Sequence, residues 1–163
     1  MTPNEYESVV AKIAEGIRTS ATDLGDLVIG LGRNNRIVGA SAYRHQIDVS
    51  LSGNNRIFII ECKMWGRRAG VQEILVLASR SQDIRDQHPG TSVTAILVST
   101  QGASRGASKI AQHFGIAIEI TKSPANFGLR IGQSIHQGIS IGVASSLSVE
   151  ETVVRNGVVL DES

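Results

Sequence analysis

The chain has 163 residues, 41% of them hydrophobic and 19% charged, which suits one folded domain with a real core and excludes a disordered chain. Sixteen Lys and Arg against 15 Asp and Glu leave a net charge of +1, so a nucleic-acid-binding face has to come from local clustering. The single cysteine excludes an intramolecular disulfide and a Cys-based zinc cluster and suits a reducing compartment.

Residues 4–20 read as an amphipathic helix. Asn4 is a fitting N-cap, Glu5 and Glu7 fall in the first turn where the helix dipole favours acids, and Tyr6, Val9, Val10, Ile13 and Ile17 recur at helical spacing. Leu24, Leu27, Val28 and Leu31 suggest a short second helix, weakened by Gly25, Gly30 and Gly32. Arg33-Asn34-Asn35-Arg36 reads as a turn, and Ile37-Val38-Gly39 as a brief strand. Residues 45–51 and 56–63 are two strands around Ser52-Gly53-Asn54-Asn55, because Gly and Asn tolerate positive φ in a hairpin loop.

Met64–Gly70 is a polar loop that carries the sole tryptophan, Trp65, expected to pack on the core, and Arg67-Arg68, the best local basic patch. Residues 71–88 form the clearest helix, with Val71, Ile74, Leu75, Leu77, Ala78 and Ile84 on one side and Gln72, Glu73, Arg80 and Arg85 facing away; Pro89-Gly90 stop it. Val93–Ser99 is a strand, Ala103–Phe114 a small-residue helix, and Ile116–Ile120 a strand, so this part is a βαβ unit with parallel strands. The glycines at 102 and 106 make no P-loop, because no Gly-Lys-Ser/Thr follows. Residues 121–163 are expected to form a C-terminal extension, packed on the core or used in dimerisation, with Asn156-Gly157 as a hairpin turn inside Val153–Leu160.

The hairpin holds the chemistry. With Asn54-Asn55 as a two-residue loop, Asp48 faces Glu61 and Gln46 faces Lys63, and alternation puts all four on one face. Directly opposed Cβ atoms lie roughly 4.5–5.5 Å apart, and two carboxylates that close repel unless a proton or cation sits between them. The second strand is apolar on both faces up to Ile60 and turns charged at Glu61. Charge at the end of a buried strand is costly unless paired or functional. Hard oxygen ligands suit Mg²⁺ or Mn²⁺, and an ion there activates a water for phosphodiester hydrolysis, with Lys63 orienting it or stabilising charge on phosphorus.

Asp48 followed by Glu61-Cys62-Lys63 resembles the PD-(D/E)XK nuclease signature, and the flanking Tyr43–Val49 and Ile59–Trp65 are similar to its restriction-endonuclease-like (Mrr-type) branch. The resemblance covers about residues 5–120. It implies an α/β restriction-endonuclease-like core, a mixed central sheet flanked by helices in the order α-β-β-α-β-α-β. It also implies divalent-metal dependence and DNA cleavage. Carried over by residue, Asp48 and Glu61 bind metal, the Cys62 carbonyl is a further ligand, and Lys63 assists the water. Gln46 or His45 positions the phosphate or a water, and an acid of the first helix (Glu7, with Glu5 and Glu15 as alternatives) completes the site. The chain departs from the signature at Ile47, where the pattern has Pro. Arg33, Arg36, Arg44, Arg67 and Arg68 are the candidate DNA contacts, and Gln72 falls where such nucleases carry a helix residue facing the site.

The leading expectation is therefore a Mg²⁺-dependent DNA endonuclease, a homodimer where both strands are cut. It is expected in the cytoplasm, since the sequence has neither a signal peptide nor an apolar span of about 18–20 residues. The first alternative is a nuclease-like DNA-binding or assembly module, inactive alone and dependent on a protein partner. The second is a metabolic or structural α/β protein in which Asp48–Lys63 is an ion-pair network.

Overall fold

The computed structural model describes residues 5, 8, 11–13, 27–63, 66–120 and 122. Its centre is a five-stranded mixed sheet in the order β1-β4-β5-β6-β7. The strands are β1 (Val28–Leu31), β4 (Val49–Gly53), β5 (Arg56–Lys63), β6 (Ser92–Ser99) and β7 (Ala117–Ile120). β1, β4 and β5 pair antiparallel; β5, β6 and β7 run parallel. The parallel strands are joined by helices α1 (Val71–Gln87) and α2 (Arg105–Phe114). This is the mixed α/β layout, a central sheet flanked by helices, that the resemblance implies.

The hairpin register is the expected one. Asn54 and Asn55 both take positive φ, 51° and 56°, as a two-residue loop that follows the strand twist requires. Gly53 then opposes Arg56, and Val49 opposes Ile60.

Two faces of the sheet are buried. On one, Val49, Leu51, Phe58, Ile60, Cys62, Ile96, Val98 and Ala117 cluster with Ile13, which is fully buried in the N-terminal helical segment. On the other, Ile57, Ile59, Ala95 and Leu97 pack against Ile74, Leu77, Ala78 and Ile84 of α1 and Ala107 and Ala111 of α2. The small residues of α2 permit that close approach. Ser104 caps α2, its Oγ accepting from the Ala107 N–H at 3.2 Å, and Gly115 ends it with φ 65°.

Three local expectations change. Val28–Leu31 is an edge strand on β4, not a helix, because an apolar run this short takes whichever form its neighbour offers, and β4 presents an open ladder. Val71 and Leu75 of α1 are partly exposed rather than in the core. The first hairpin arm is also not continuous. Residues 44–46 form β3 (Arg44–Gln46), which pairs antiparallel with β2 (Arg36–Val38) in a separate ribbon. The Ile47 N–H donates to the Asn35 carbonyl at 3.0 Å, and Asn35 Nδ2 donates to the Ile47 carbonyl at 2.8 Å. These bonds draw the chain away from β5 before Asp48 returns it to β4.

The ribbon is fastened to α1 through Asp83. Its carboxylate accepts from the Ser41 N–H at 2.8 Å and the Ser41 hydroxyl at 2.6 Å, and lies 2.6 Å from His45 Nε2. The Ala40 N–H donates to the Asp83 carbonyl. Gly39 sits against the same carboxylate, where a Cβ would overlap it. Hydrogen bonds from Ser41 and then His45 hold the Asp83 carboxyl at about 2, below its ordinary 3.8. A depressed carboxyl stabilises the fold above its unfolded value and loses that contribution as pH falls through the folded one. The clasp is therefore expected to hold at neutral pH and to loosen only between about pH 4 and 2. Amide exchange at Ser41 across that range checks this, and Asp83→Ala, which removes both acceptor oxygens, should leave the Ser41 amide less protected than in wild type at neutral pH.

Candidate functional site

Glu61 and Lys63 project from the last three residues of β5 on the face that α1 covers, two residues apart as alternation requires. In open α/β sheets the carboxyl ends of parallel strands are where ligands sit. The loop after β5 is pinned there. Ala69 bridges Ala103 in parallel, with its N–H on the Gly102 carbonyl and its carbonyl accepting from the Ser104 N–H, both at 2.9 Å.

Asp48 stands just before β4, one position beyond the last paired residues, Val49 and Ile60, so the ladder's register sets it opposite Glu61. It is buried, and its Oδ2 accepts the Cys62 N–H at 2.8 Å. This bond replaces the ladder pairing that ends with β4. Within a strand, one residue's N–H and C=O point to the same side. The Cys62 carbonyl therefore lies on the Asp48 side of β5. The Cys62 thiol is on the other face, in the core, and burial first, then the nearby Asp48 and Glu61 charges, push it well above its ordinary value. It stays a neutral thiol, so neither thiolate nucleophile nor thiolate metal ligand is available here.

Glu61 carries two cations. Lys63 Nζ donates to Oε1 and Arg80 Nη1 to Oε2, each at 2.9 Å. The side chains are 14% exposed for Glu61, 21% for Lys63 and 28% for Arg80. Arg80, expected to face away, instead turns to Glu61. Its signal was helical spacing: Val76, Arg80 and Asp83 fall at i, i+4 and i+7, one stripe beside the apolar face. That stripe borders the sheet because α1 leaves the strand end and folds back over it.

Other expected residues are not brought to this cluster. Gln46 belongs to β3, opposes Arg36 rather than Lys63, and is exposed; the break at Ile47 resets the alternation. His45 turns inward to Asp83, the structural histidine role. Arg67 donates to Glu73 Oε1 at 2.7 Å, and this bond above all lowers the Glu73 carboxyl; the Gly70 N–H donates to the other Glu73 oxygen. Arg68 is exposed nearby. Arg85, expected to face away, reaches back to the Val93 carbonyl. Arg36 and Arg44 are exposed on the outer face of the ribbon with Gln46, and Arg33 is exposed on the turn of 3₁₀ helix Gly32–Asn34 that precedes it. Gln72 is exposed two turns before Arg80 on α1. Glu7, Glu15, Met64, Trp65 and the tail 123–163 with its Asn156-Gly157 turn lie outside the described residues.

The donor set suits a small hard cation. The register sets two carboxylates, Asp48 and Glu61, opposite each other at the end of β5, and Mg²⁺ commonly uses one or two carboxylates and fills its sphere with water and phosphate oxygens. Among the described residues, no group of three or more His, Cys, Asp or Glu side chains gathers to hold a metal ion. Among them too, no helix is long and apolar enough to cross a membrane.

No family model matches the chain, and no curated protein matches it. Solved structures do resemble it. Protein VC1899 from Vibrio cholerae has 24% identity and a TM-score of 0.53, covering 83% of this chain and 33% of its own. AF1548, a protein of unknown function, has 15% identity and a TM-score of 0.50, covering 90% of this chain and 100% of its own. A repair endonuclease from Pyrococcus abyssi has 20% identity and a TM-score of 0.45, covering 70% of this chain and 46% of its own. The chain thus spans all of AF1548 but less than half of the other two. At these identities the likeness speaks for the fold alone.

Proposed function

We propose that the chain is a metal-dependent DNA endonuclease. The observation that supports this best is that Asp48, bonded to the Cys62 N–H, lies in register opposite Glu61, which is paired with Lys63, at the carboxyl end of a strand that is otherwise apolar. A Mg²⁺ or Mn²⁺ ion bound there supplies an activated water and neutralises phosphate charge. Asp48 and Glu61 would hold the ion, and the Cys62 N–H fixes the Asp48 carboxylate through its Oδ2. Lys63 would add a positive charge near the phosphate, beside that of the ion, where negative charge grows in the transition state.

Arg36 and Arg44 give the ribbon a basic outer face for the DNA backbone, with Arg33 on the turn before it, and phosphate contacts of this kind set position rather than sequence. The Asp83 clasp holds that ribbon at a fixed distance from the site. Two copies would be needed to cut both strands, so a homodimer is the expected working form.

One observation favours a second reading, a nuclease-like DNA-binding module that needs a partner. Both Glu61 oxygens are already engaged by cations. The deciding assay incubates plasmid, linear and branched DNA with Mg²⁺ or Mn²⁺, beside EDTA and the Glu61→Gln protein. The nuclease reading expects cutting that EDTA and Glu61→Gln both remove. Salt-sensitive DNA binding without cutting of any substrate would support the module instead.

A further inference from the structure

We propose that Arg80 is a positioning residue that closes the Glu61 carboxylate in the absence of a divalent cation, competes with that cation for it, and on release turns to the DNA phosphate. This rests on the nuclease reading above and adds a role to a residue of α1 outside the Asp48–Lys63 constellation.

The charges come first. Asp48, Glu61, Lys63 and Arg80 sum to zero, so the cluster carries no net charge without metal. A bound divalent ion raises that sum to +2. An incoming phosphodiester carries one negative charge, and a second develops on its oxygens as the attacking water gives up its proton to solvent. A cluster at +2 suits that transition state while Lys63 stays beside Glu61 and the released Arg80 guanidinium stays in the groove next to it.

The geometry then selects which cation gives way. Arg80 and Lys63 each hold one Glu61 oxygen at 2.9 Å. Arg80 is the more exposed of the two, and an ion pair near solvent separates more cheaply. Lys63 is on the same strand as Glu61, two residues on, so alternation keeps it on the same face. Arg80 reaches across from α1 and also lines an open groove with His45, Gln72, Val76, Ser79 and Asp83. A rotation of its side chain into that groove frees Glu61 Oε2. The α1 backbone stays in place, because Asp83, one turn on, is held by Ser41 and His45. The groove also meets His45 of β3, so a released guanidinium stays between α1 and the inner face of the ribbon.

The test needs no DNA. Mn²⁺ binding to the full chain is titrated by calorimetry for wild type, Arg80→Ala, Arg80→Lys and Glu61→Gln. Binding lost in Glu61→Gln identifies the site. Competition expects Arg80→Ala to bind Mn²⁺ about fivefold or more tightly than wild type, with Arg80→Lys in between. It also expects Arg80→Ala to cut DNA more slowly at saturating metal, so that affinity and turnover move in opposite directions. Unchanged or weaker Mn²⁺ affinity in folded Arg80→Ala, with wild type binding normally, overturns the Arg80 role and leaves the nuclease reading standing. Wild type that binds no Mn²⁺ overturns both. Arg80→Gln serves in the same comparison should Arg80→Ala fail to fold.

Discussion

Lys63→Ala is expected to lower metal-dependent DNA cleavage by at least about a hundredfold, the usual cost of removing a donor aimed at developing negative charge. The loss should fall on the chemical step. Lys63 is part-exposed at the end of β5, and Glu61 keeps Arg80 when the ammonium is gone. Folding and Mn²⁺ binding should therefore survive, and DNA binding should change little, since the ribbon arginines are untouched. Single-turnover cleavage at saturating metal, set beside DNA titration by fluorescence anisotropy, separates these effects. Activity within about threefold of wild type would remove Lys63 from the mechanism. Weaker DNA binding at unchanged cleavage rate would recast it as one more phosphate contact.

The second large effect divides stability from function at one residue. Asp48 is buried, and its Oδ2 accepts the Cys62 N–H at 2.8 Å. Asp48→Ala leaves that buried donor without its acceptor and is expected to cost about 1–3 kcal/mol. For a chain of this size each kcal/mol lowers Tm by about 2–4 °C. Asp48→Asn keeps an oxygen in the same place, so its stability should stay within about 1 kcal/mol of wild type. Both variants remove the charge, and both should lose Mn²⁺ binding and cleavage. Thermal unfolding and calorimetry on the pair decide the matter. A stable Asp48→Asn protein that still bound Mn²⁺ and cut DNA would show that Asp48 serves the fold alone.

Much of the site was legible because its determinants are local. Asn54 and Asn55 tolerate the positive φ that a two-residue loop demands, and that loop length alone sets Asp48 against Glu61. Alternation then places Lys63 with Glu61. The apolar run of β5 and the βαβ pattern of residues 92–120 likewise depend on near neighbours, and α1 stops where Pro89-Gly90 forbid another turn.

Only the tertiary structure decided the rest, and each case turns on a partner distant in sequence. Gln46 left the site because Asn35 captures Ile47 at both its N–H and its carbonyl. His45 followed it inward because Asp83, on a helix far along the chain, takes its ring nitrogen. Val28–Leu31 became a strand because β4 offered an edge. Arg80 reached Glu61 because α1 folds back over the end of β5. Spacing along the chain fixes which side chains share a face of one element. Which faces then meet depends on how helices and strands pack, and a single charged residue gains its role only there.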